Sequence, residues 1–366
     1  MVKKIAFYLP QFHAIPENDE WWGKDFTEWT NVKKSQPQYR GHIQPEVPLN
    51  GEYYNLLDTE VQEKQAKLAQ EYGIDGFCYY HYWFDGKLLL EKPMENMLQN
   101  KNVTLPFCIC WANESWSRTW DGAESKVLIK QNYSDTVDGW KRHFDYLLPF
   151  FKDERYIKVD EKPMMILYKP QLIENLEELI TYWNQLAKQN GFKGIYFGHQ
   201  HVSSFENPKV TENFDFGIEF EPIYTVSEMN KGVRSKLDKL RWALKNPKWL
   251  SRNIAHKYCG RSLLFDYDEV WSAILQRKGR KNISPGAFVS WDNTLRRGNR
   301  SLVFAGANPE KFEKYFAKQV QRTKEEYHSD FIFINAWNEW AEGAHLEPDE
   351  QFGYGYLEAV KAVKGE

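Results

Sequence analysis

The segment FIFINAWNEWAEGAHLEP, residues 331–348, places a group of carboxylates at the end of an apolar run. Glu339 and Glu342 are three residues apart between two tryptophans, and Glu347 follows. Two carboxylates in a partly dry pocket do not ionise easily together, so one retains its proton and can act as a general acid. Such a pair among rings and amides is the usual equipment for cleaving a glycosidic bond. The segment therefore predicts a carboxylate-based active site, the alternative being an ordinary exposed pair of charges.

Other catalytic chemistries have less support in the sequence. His199 and His201 alternate along one apolar run without a third ligand, and we predict neither a metal nor another cofactor. No serine occupies a G-x-S-x-G elbow, and no cysteine stands next to a plausible base. Asp266-Tyr267-Asp268 matches the Asp-x-Asp with which nucleotide-sugar transferases hold a divalent metal. It precedes the helix-like run EVWSAILQ, however, where an N-capping role is simpler.

Eight apolar runs of strand length recur along the chain and end in polar or aromatic residues. Their near-continuous apolar cores are typical of strands buried on both faces of a parallel sheet. Helical patterns at 58–72, 174–190 and 309–327 lie between them. This alternation predicts one (β/α)8 TIM barrel of the α/β class over residues 1–366. A doubly wound sheet is the alternative, but it usually shows a Gly-rich turn after an early strand. The runs are 4–10, 74–83, 106–114, 162–170, 194–200, 214–222, 286–294 and 331–339.

Two segments exceed a minimal barrel. Residues 11–57 follow the first run, are rich in Trp, Pro and polar residues, and predict a long loop over the barrel mouth. Residues 223–285, between the sixth and seventh runs, form the largest insertion and include helical patterns.

The insertion is strongly basic in its middle. Residues 230–262 contain ten Lys or Arg against one acid, Asp238, and Arg296, Arg297 and Arg300 follow the seventh run. A solvated helical face is one interpretation. The other is an acidic partner: an anionic glycan, a lipid-linked pyrophosphate or a phospholipid surface, the last giving peripheral membrane contact. No nucleic-acid recognition module is evident, and we predict no nucleic-acid partner.

Residues at the carboxyl ends of the strands are the candidates for substrate contacts, because TIM-barrel active sites form there. Alternation along the last run places Asn335, Trp337 and Glu339 on one side, with Glu342 a turn later. Rings can stack on sugar faces and polar groups can bind hydroxyls, or these residues can instead pack the rim and tie loops together. With Glu339 and Glu342 as the catalytic pair, the predicted substrate-binding residues are Tyr8, His81, Trp111, Asn113, Glu114, His199, Glu219, Trp291, Asn335, Trp337 and Glu347.

The sequence also resembles a known family. NEWAEGAHLEP is similar to the catalytic segment of glycoside hydrolase family 99, the endo-α-mannosidases and endo-α-mannanases, in which Asn-Glu-Trp-x-Glu-Gly and a later Glu-Pro follow the last strand. Most of the chain resembles the bacterial WbsX-like relatives of that family still more closely. The segments that carry this resemblance are AFYLPQFHAIPENDEWWGKDFTEWTNV, GFCYYHYWF, CWANESWSRTWDG and SWDNTLRRG. WbsX-like proteins are found with O-antigen and capsule biosynthesis genes and are often described as glycosyltransferases.

The resemblance implies roles for the two glutamates. Glu339 would remove the proton from the 2-hydroxyl of the substrate, whose oxygen attacks the anomeric carbon and gives an epoxide-like intermediate with overall retention. Glu342 would protonate the leaving group and then activate water. The axial 2-hydroxyl of a manno-configured sugar suits this route, because it can lie anti to an axial leaving group. The chain departs from the hydrolases at Ala341, where they carry His, and in YLPQFH, so the sugar stays open.

We therefore expect a retaining glycoside hydrolase that acts on an α-linked, manno-configured bacterial oligosaccharide or polysaccharide. The first alternative is a glycosyltransferase of O-antigen or capsular polysaccharide biosynthesis, with a sugar acceptor in place of water. The second is a non-catalytic glycan-binding module, which would not need both glutamates.

The remaining features predict a cytoplasmic protein. The chain is 42% hydrophobic and 27% charged, as expected of a globular protein, and its net charge of −3 indicates no particular partner. Cys78, Cys108 and Cys110 lie in apolar runs and favour buried thiols in a reducing compartment. Pro10 interrupts the first apolar run too early for a signal peptide, and no stretch approaches the ~18 apolar residues of a transmembrane helix.

Overall fold

Nine parallel strands form a nearly closed barrel in the computed structural model of the chain, which describes residues 1–117, 127–133, 137–203, 212–229, 262–298 and 301–365. Two short strands on either side of Pro285 share the seventh position: one begins the predicted run 286–294 and the other precedes it, and the predicted (β/α)8 fold class is confirmed. The barrel strands are Lys3–Tyr8, Gly76–Phe84, Phe107–Trp111, Lys162–Leu167, Tyr196–His201, Phe216–Glu219, Ile283–Ser284, Gly286–Phe288 and Phe331–Asn335.

Helices connect these strands, and the three predicted helices are confirmed as Thr59–Glu71, Leu176–Gln189 and Pro309–Glu325. The last begins where the Asn308 side chain accepts a hydrogen bond of 2.9 Å from the Lys311 amide, with Pro309 in the first turn. The other helices in the described ranges are Pro16–Trp22, Glu28–Lys34, Lys92–Gln99, Val137–Lys152, Ile223–Met229, Tyr267–Gln276, Thr294–Arg297 and Gly355–Ala362, with 3-10 turns at Leu49–Gly51, Pro170–Leu172 and Trp340–Glu342. Short strands outside the barrel are Lys87–Leu89, Trp116–Ser117, Val127–Ile129, Lys158–Val159, Leu263–Asp266, Leu302–Ala305, Asn338–Glu339 and Ala344–His345.

The middle of the predicted 223–285 insertion, residues 230–261, lies outside the described residues together with Arg300. The described part of the insertion includes the helix Tyr267–Gln276, at whose start Asp266 accepts a hydrogen bond of 3.0 Å from the Glu269 amide. Asp268 accepts from both Lys311 and Tyr315 at 2.7 Å. The predicted N-capping role in the Asp-x-Asp motif is therefore confirmed.

Both faces of the barrel strands are buried. Phe7 contacts Tyr80 at 5.5 Å and Phe333 at 5.7 Å between ring centroids inside the barrel, whereas the neighbouring Tyr8 points outward and donates to Gln65 of the first long helix. Cys78, Cys108 and Cys110 are free and buried, as predicted. Within the described ranges, no helix is both long and apolar enough to cross a membrane.

The barrel closes through the chain itself at Ser284-Pro285-Gly286. Ile283–Ser284 pairs with the sixth strand, and Gly286–Phe288 pairs with the last strand. A Cβ atom on Gly286 would lie 1.9 Å from the carbonyl oxygen of Glu219 in the sixth strand. Only glycine fits, because backbone and not a flexible side chain occupies this space.

Gly286→Ala is expected to destabilise the protein by more than about 3 kcal/mol, because the seam must open to admit one methyl group. Gly41→Ala is the matched control: Gly41 has a φ of +83° and no atom within 4 Å of an added Cβ. That control should cost about 1–2 kcal/mol through backbone strain alone. Chemical denaturation of both variants measures the difference, and equal losses would contradict the steric account.

Two buried histidines form a neutral pair outside the second strand. His81 Nε2 lies 2.9 Å from His143 Nε2, and the His143 ring stacks on Trp83 with a centroid distance of 4.5 Å. Burial lowers the pKa of His81 to about 3 and that of His143 well below its usual value. His199, outward on the fifth strand, lies against Phe214, and burial lowers its pKa to about 3 as well.

The protein is expected to lose stability below pH 6.5. An unfolded histidine titrates near 6.5, so the folded state binds fewer protons below that pH, and stability present above it is lost as pH falls towards 3. Each such histidine contributes a slope of up to about 1.4 kcal/mol per pH unit. Denaturant unfolding between pH 7 and pH 5 measures this slope. His199→Leu should reduce this slope, because it removes one of these buried histidines; a slope equal to that of the wild type would contradict the assignment.

Candidate active site

A cavity of about 520 Å³ lies at the carboxyl ends of the barrel strands. Its charged lining includes Glu339 and Glu342 together with Arg296 and Arg297. The aromatic residues of its wall are Trp22, Tyr80, Tyr82, Trp116, Tyr168, Phe220 and Trp291. The cavity thus combines ring faces with a compact group of charges, which is the composition that sugar recognition uses.

Arg296 binds both predicted catalytic carboxylates. Its Nη2 lies 3.2 Å from Oε1 of Glu339 and its Nη1 lies 3.0 Å from Oε1 of Glu342. The same Nη2 is 3.3 Å from Oε2 of Glu28, which the helix Glu28–Lys34 brings down from the first loop. One guanidinium therefore contacts three carboxylates.

The two glutamates differ in their environment. The Glu339 side chain is 10% exposed and that of Glu342 is 21% exposed. Burial raises the pKa of Glu339 well above its usual value; Arg296 opposes this shift, and the charges of Glu342 and Glu28 add to it. Glu339 is consequently the deeper group and, once ionised, a stronger base than an ordinary glutamate. Glu342 is the more exposed of the two.

The segment after the last strand is fixed by backbone contacts with the first strand. The Trp337 amide donates to the Phe7 carbonyl at 2.8 Å, and the Asn338 side chain bonds both the amide and the carbonyl of Leu9, at 2.8 and 3.0 Å. A 3-10 turn, Trp340–Glu342, follows and ends at Gly343 with a φ of +59°. This turn brings Glu342 to the same guanidinium as Glu339.

Glu347 anchors this segment from outside the cavity. Its buried carboxylate accepts hydrogen bonds from the indoles of Trp337 and Trp340, at 3.1 and 2.7 Å. It also accepts from Gln65 at 2.6 Å and from the Tyr54 hydroxyl at 2.7 Å. The carboxylate lies outside the cavity lining and ties the catalytic segment to the first loop and the first long helix.

The structure brings five of the predicted site residues together at the cavity. Glu114, Trp291 and Asn335 line it with Glu339 and Glu342. Glu114 forms an ion pair with Lys169, which also lines the cavity. Asn335 donates to the Glu221 carbonyl at 3.1 Å. These five residues stay in the candidate site.

Five other predicted substrate-binding residues lie outside the cavity, because they occupy the outward phase of their strands. Glu219, for example, is fully buried and pairs with Arg277 at 2.6 Å and Arg280 at 3.0 Å. His199 contacts His201 with 4.2 Å between ring centroids, and the described residues contain no group of three or more His, Cys, Asp or Glu that could hold a metal. The five residues are Tyr8, His81, Trp111, His199 and Glu219.

Three further predicted contacts have structural roles near the site. The Asn113 side chain bonds the backbone of Lys169 twice, at 2.8 Å each. Trp337 turns away from the side shared by Asn335 and Glu339 and donates to Glu347, contrary to the predicted alternation. None of Asn113, Trp337 and Glu347 lines the cavity.

Several functional candidates were not predicted from the sequence. Tyr80 and Tyr82 occupy the inward phase on either side of His81, and Gln11 lines the cavity and donates to the Tyr82 hydroxyl at 2.8 Å. Arg296, interpreted from sequence as part of a basic surface for anions, is buried among carboxylates and is unavailable for that role. Arg296 lies in the segment SWDNTLRRG, but nothing in the sequence around it indicates its three distant carboxylate partners.

A second cavity of about 360 Å³ shares Trp291 with the first, since this residue lines both. Asp292 belongs to its wall and is held by His42 at 2.5 Å and by Gln44 at 2.8 Å, both from the first loop. His42 and Gln44 thereby fix the segment between the seventh strand and the helix that carries Arg296.

Several solved structures resemble this fold. One is the family 99 endo-alpha-mannosidase from Bacteroides thetaiotaomicron, with a TM-score of 0.57 and 14% identity over 98% of this chain and 95% of the other. Another, described as a glycoside hydrolase-like protein, has a TM-score of 0.59 and 11% identity over 99% and 93% of the two chains. At these identities the likeness concerns the fold alone.

The relatives found by sequence have a higher identity to this chain. An uncharacterized protein, WxcX, from Xanthomonas campestris pv. campestris strain B100 is 38% identical over 361 residues, which are 98% of this chain and 49% of that protein. A second strain of the same pathovar has a WxcX that matches at the same identity, so the chain spans about half the length of the curated relatives it matches. The family described as glycosyltransferase WbsX matches residues 4–360. The chain therefore belongs to the WbsX family.

Proposed function

We propose that this chain is a retaining glycoside hydrolase that cleaves α-linked, manno-configured glycans. The observation that carries the proposal is the pair Glu339 and Glu342 on one buried guanidinium, in a cavity lined by aromatic rings. Two carboxylates of unequal burial provide a base and an acid for glycosidic-bond cleavage. The fold likeness to a family 99 endo-alpha-mannosidase agrees with this chemistry.

In the proposed mechanism, Glu339 accepts the proton of the 2-hydroxyl while that oxygen attacks the anomeric carbon. The bond to the leaving oxygen breaks, and Glu342 gives that oxygen its proton. Water then opens the three-membered ring at the anomeric carbon, Glu342 takes a proton from the water, and Glu339 returns a proton to the 2-oxygen. Burial suits Glu339 to this role because a carboxylate with a raised pKa is the stronger base.

A glycosyltransferase is the second candidate, because the family that matches the chain is described as one. A sugar acceptor would then replace water at the same two glutamates. A nucleotide-sugar enzyme that binds metal through Asp266 and Asp268 is disfavoured, since Asp266 caps a helix and Asp268 pairs with Lys311 and Tyr315.

We also propose that the substrate is a bacterial surface polysaccharide or its precursor, met in the cytoplasm. The three free buried thiols are consistent with a reducing compartment. The basic residues of 230–262 and the exposed Arg297 at the cavity favour an anionic or lipid-linked form and contact with a membrane surface.

Glu339→Gln and Glu342→Gln are each expected to lower glycan cleavage by about 10²–10⁴-fold, because each removes one proton-transfer group. The measurement is mass spectrometry of products released from bacterial O-antigens, capsular glycans and α-mannans, without nucleotide sugar. Glu358→Gln, on the exposed face of the last helix, is the matched control and should cleave like wild type.

The two roles can be separated with a glycosyl fluoride of the glycan that is cleaved. A good leaving group needs little protonation, so Glu342→Gln should recover most of its first step on the fluoride and Glu339→Gln should not. Equal losses on both substrates would reject the assignment of acid and base. Transfer from a nucleotide sugar that both variants abolish would establish the glycosyltransferase instead.

An anionic substrate predicts that cleavage weakens with salt. Raising NaCl from 50 to 500 mM should raise KM several-fold, because the screening length falls from about 14 Å to about 4 Å. A neutral α-mannan fragment serves as the control glycan. If KM for the acidic glycan does not change, the proposal of an anionic substrate is wrong.

A further inference from the structure

Arg296 is a buried cation in contact with three carboxylates. It is 6% exposed, lies in the short helix Thr294–Arg297 after the seventh strand, and contacts carboxylates from two other parts of the fold. Glu28, which is 3% exposed, comes from the first loop. Glu339 and Glu342 come from the segment after the eighth strand. Three separate segments thus meet at one cation.

We propose that Arg296 is the positioning residue of the active site: anchored by Glu28, its guanidinium holds Glu339 and Glu342 in register and keeps a single proton shared between them. This inference rests on the proposed function and assigns the two residues that set its acid and base. Arg296 acts through the glutamates, since both of its terminal nitrogens already lie on carboxylate oxygens.

The charge balance of the cluster supports this role. One guanidinium faces three carboxylates, so full ionisation would leave an excess of negative charge in a buried volume. Such a group retains a proton more readily than separate carboxylates do. Burial raises the pKa of Glu339 and the adjacent Arg296 lowers it, so Arg296 favours the ionised Glu339 that the proposed mechanism requires as its base.

The planar fork of arginine explains why this residue type occupies the site. Two terminal nitrogens reach the two glutamates at 3.2 and 3.0 Å, so the distance between the nitrogens limits the distance between the carboxylates. A lysine would provide the charge through one atom only. Arg297, the next residue, is exposed and is the natural control for charge without these contacts.

The groups that face Glu339 come from four elements. Arg296 lowers its pKa, and Glu342 and Glu28 raise it. The Tyr82 hydroxyl of the second strand interacts with it electrostatically, and the ion pair of Glu114 and Lys169 lines the same cavity. Removal of Arg296 and removal of Glu28 should therefore move the titration of Glu339 in opposite directions.

The test is a carbon-13 NMR titration of the protein labelled at glutamate side-chain carboxyls, with the Glu339 signal assigned by its absence from Glu339→Gln. Arg296→Met should move the Glu339 titration to higher pH, and Glu28→Gln should move it to lower pH. Arg296→Lys and Arg297→Met should leave it close to wild type. Opposite shifts support the proposal, because a merely structural loss would not change sign between the two variants.

Kinetics on a cleaved glycan gives the second readout. Arg296→Lys should lower kcat about 10²-fold while the acid limb of the pH profile stays in place, because the charge remains and the register is lost. Arg296→Met should lower kcat and also move the acid limb upward. Thermal unfolding checks that each variant is folded. If Arg296→Met does not fold, the Glu339 titration in Glu28→Gln decides the question.

A Glu339 titration that is unchanged in Glu28→Gln, or that moves the same way in Glu28→Gln and Arg296→Met, would overturn the proposal. The titration needs no substrate, so it tests the cluster even if no glycan is cleaved. Conversely, cleavage that survives Glu339→Gln and Glu342→Gln would reject the proposed function and leave the titration result standing.

Discussion

The buried carboxylate of Glu347 is the contact on which the geometry of this site depends. It accepts four hydrogen bonds, two from indoles on either side of Glu339 and two from Tyr54 and Gln65. Burying a carboxylate costs much free energy unless hydrogen-bond donors replace the lost water. The positions of these four donors are therefore fixed together with that of the carboxylate. The segment that carries the glutamates is thereby joined to the first loop, and the loop in turn brings Glu28 to Arg296.

The barrel could be predicted from the sequence because it rests on local signals. Apolar runs of strand length, helices with capping residues and their alternation are each visible in short windows, and all eight runs became strands of the barrel. The seventh position differs because Pro285 cannot donate to a ladder. The run that begins at Gly286 pairs with the last strand, and a separate short strand before Pro285, outside the predicted run, pairs with the sixth. The glutamate pair was equally visible, since its two members lie within four residues.

The phase of the strands could not be predicted in the same way. When both faces of a strand are buried and apolar, alternation does not show which face looks into the barrel. Tyr8 and His81 were therefore predicted to contact the substrate, whereas their sequence neighbours Leu9, Tyr80 and Tyr82 line the cavity. The buried position of Arg296 could not be predicted for a related reason. A charged side chain is expected to face solvent, and the carboxylates that surround this one lie 43 or more residues away in sequence, one of them in the first loop.

Trp291 forms a wall common to the two cavities, one holding the glutamates and the other holding Asp292. Because one residue belongs to both linings, a ligand that displaces Trp291 from its position in the first cavity also alters the lining of the second. Any coupling of this kind is reciprocal, so a ligand in the second cavity would change the affinity of the first by the same factor.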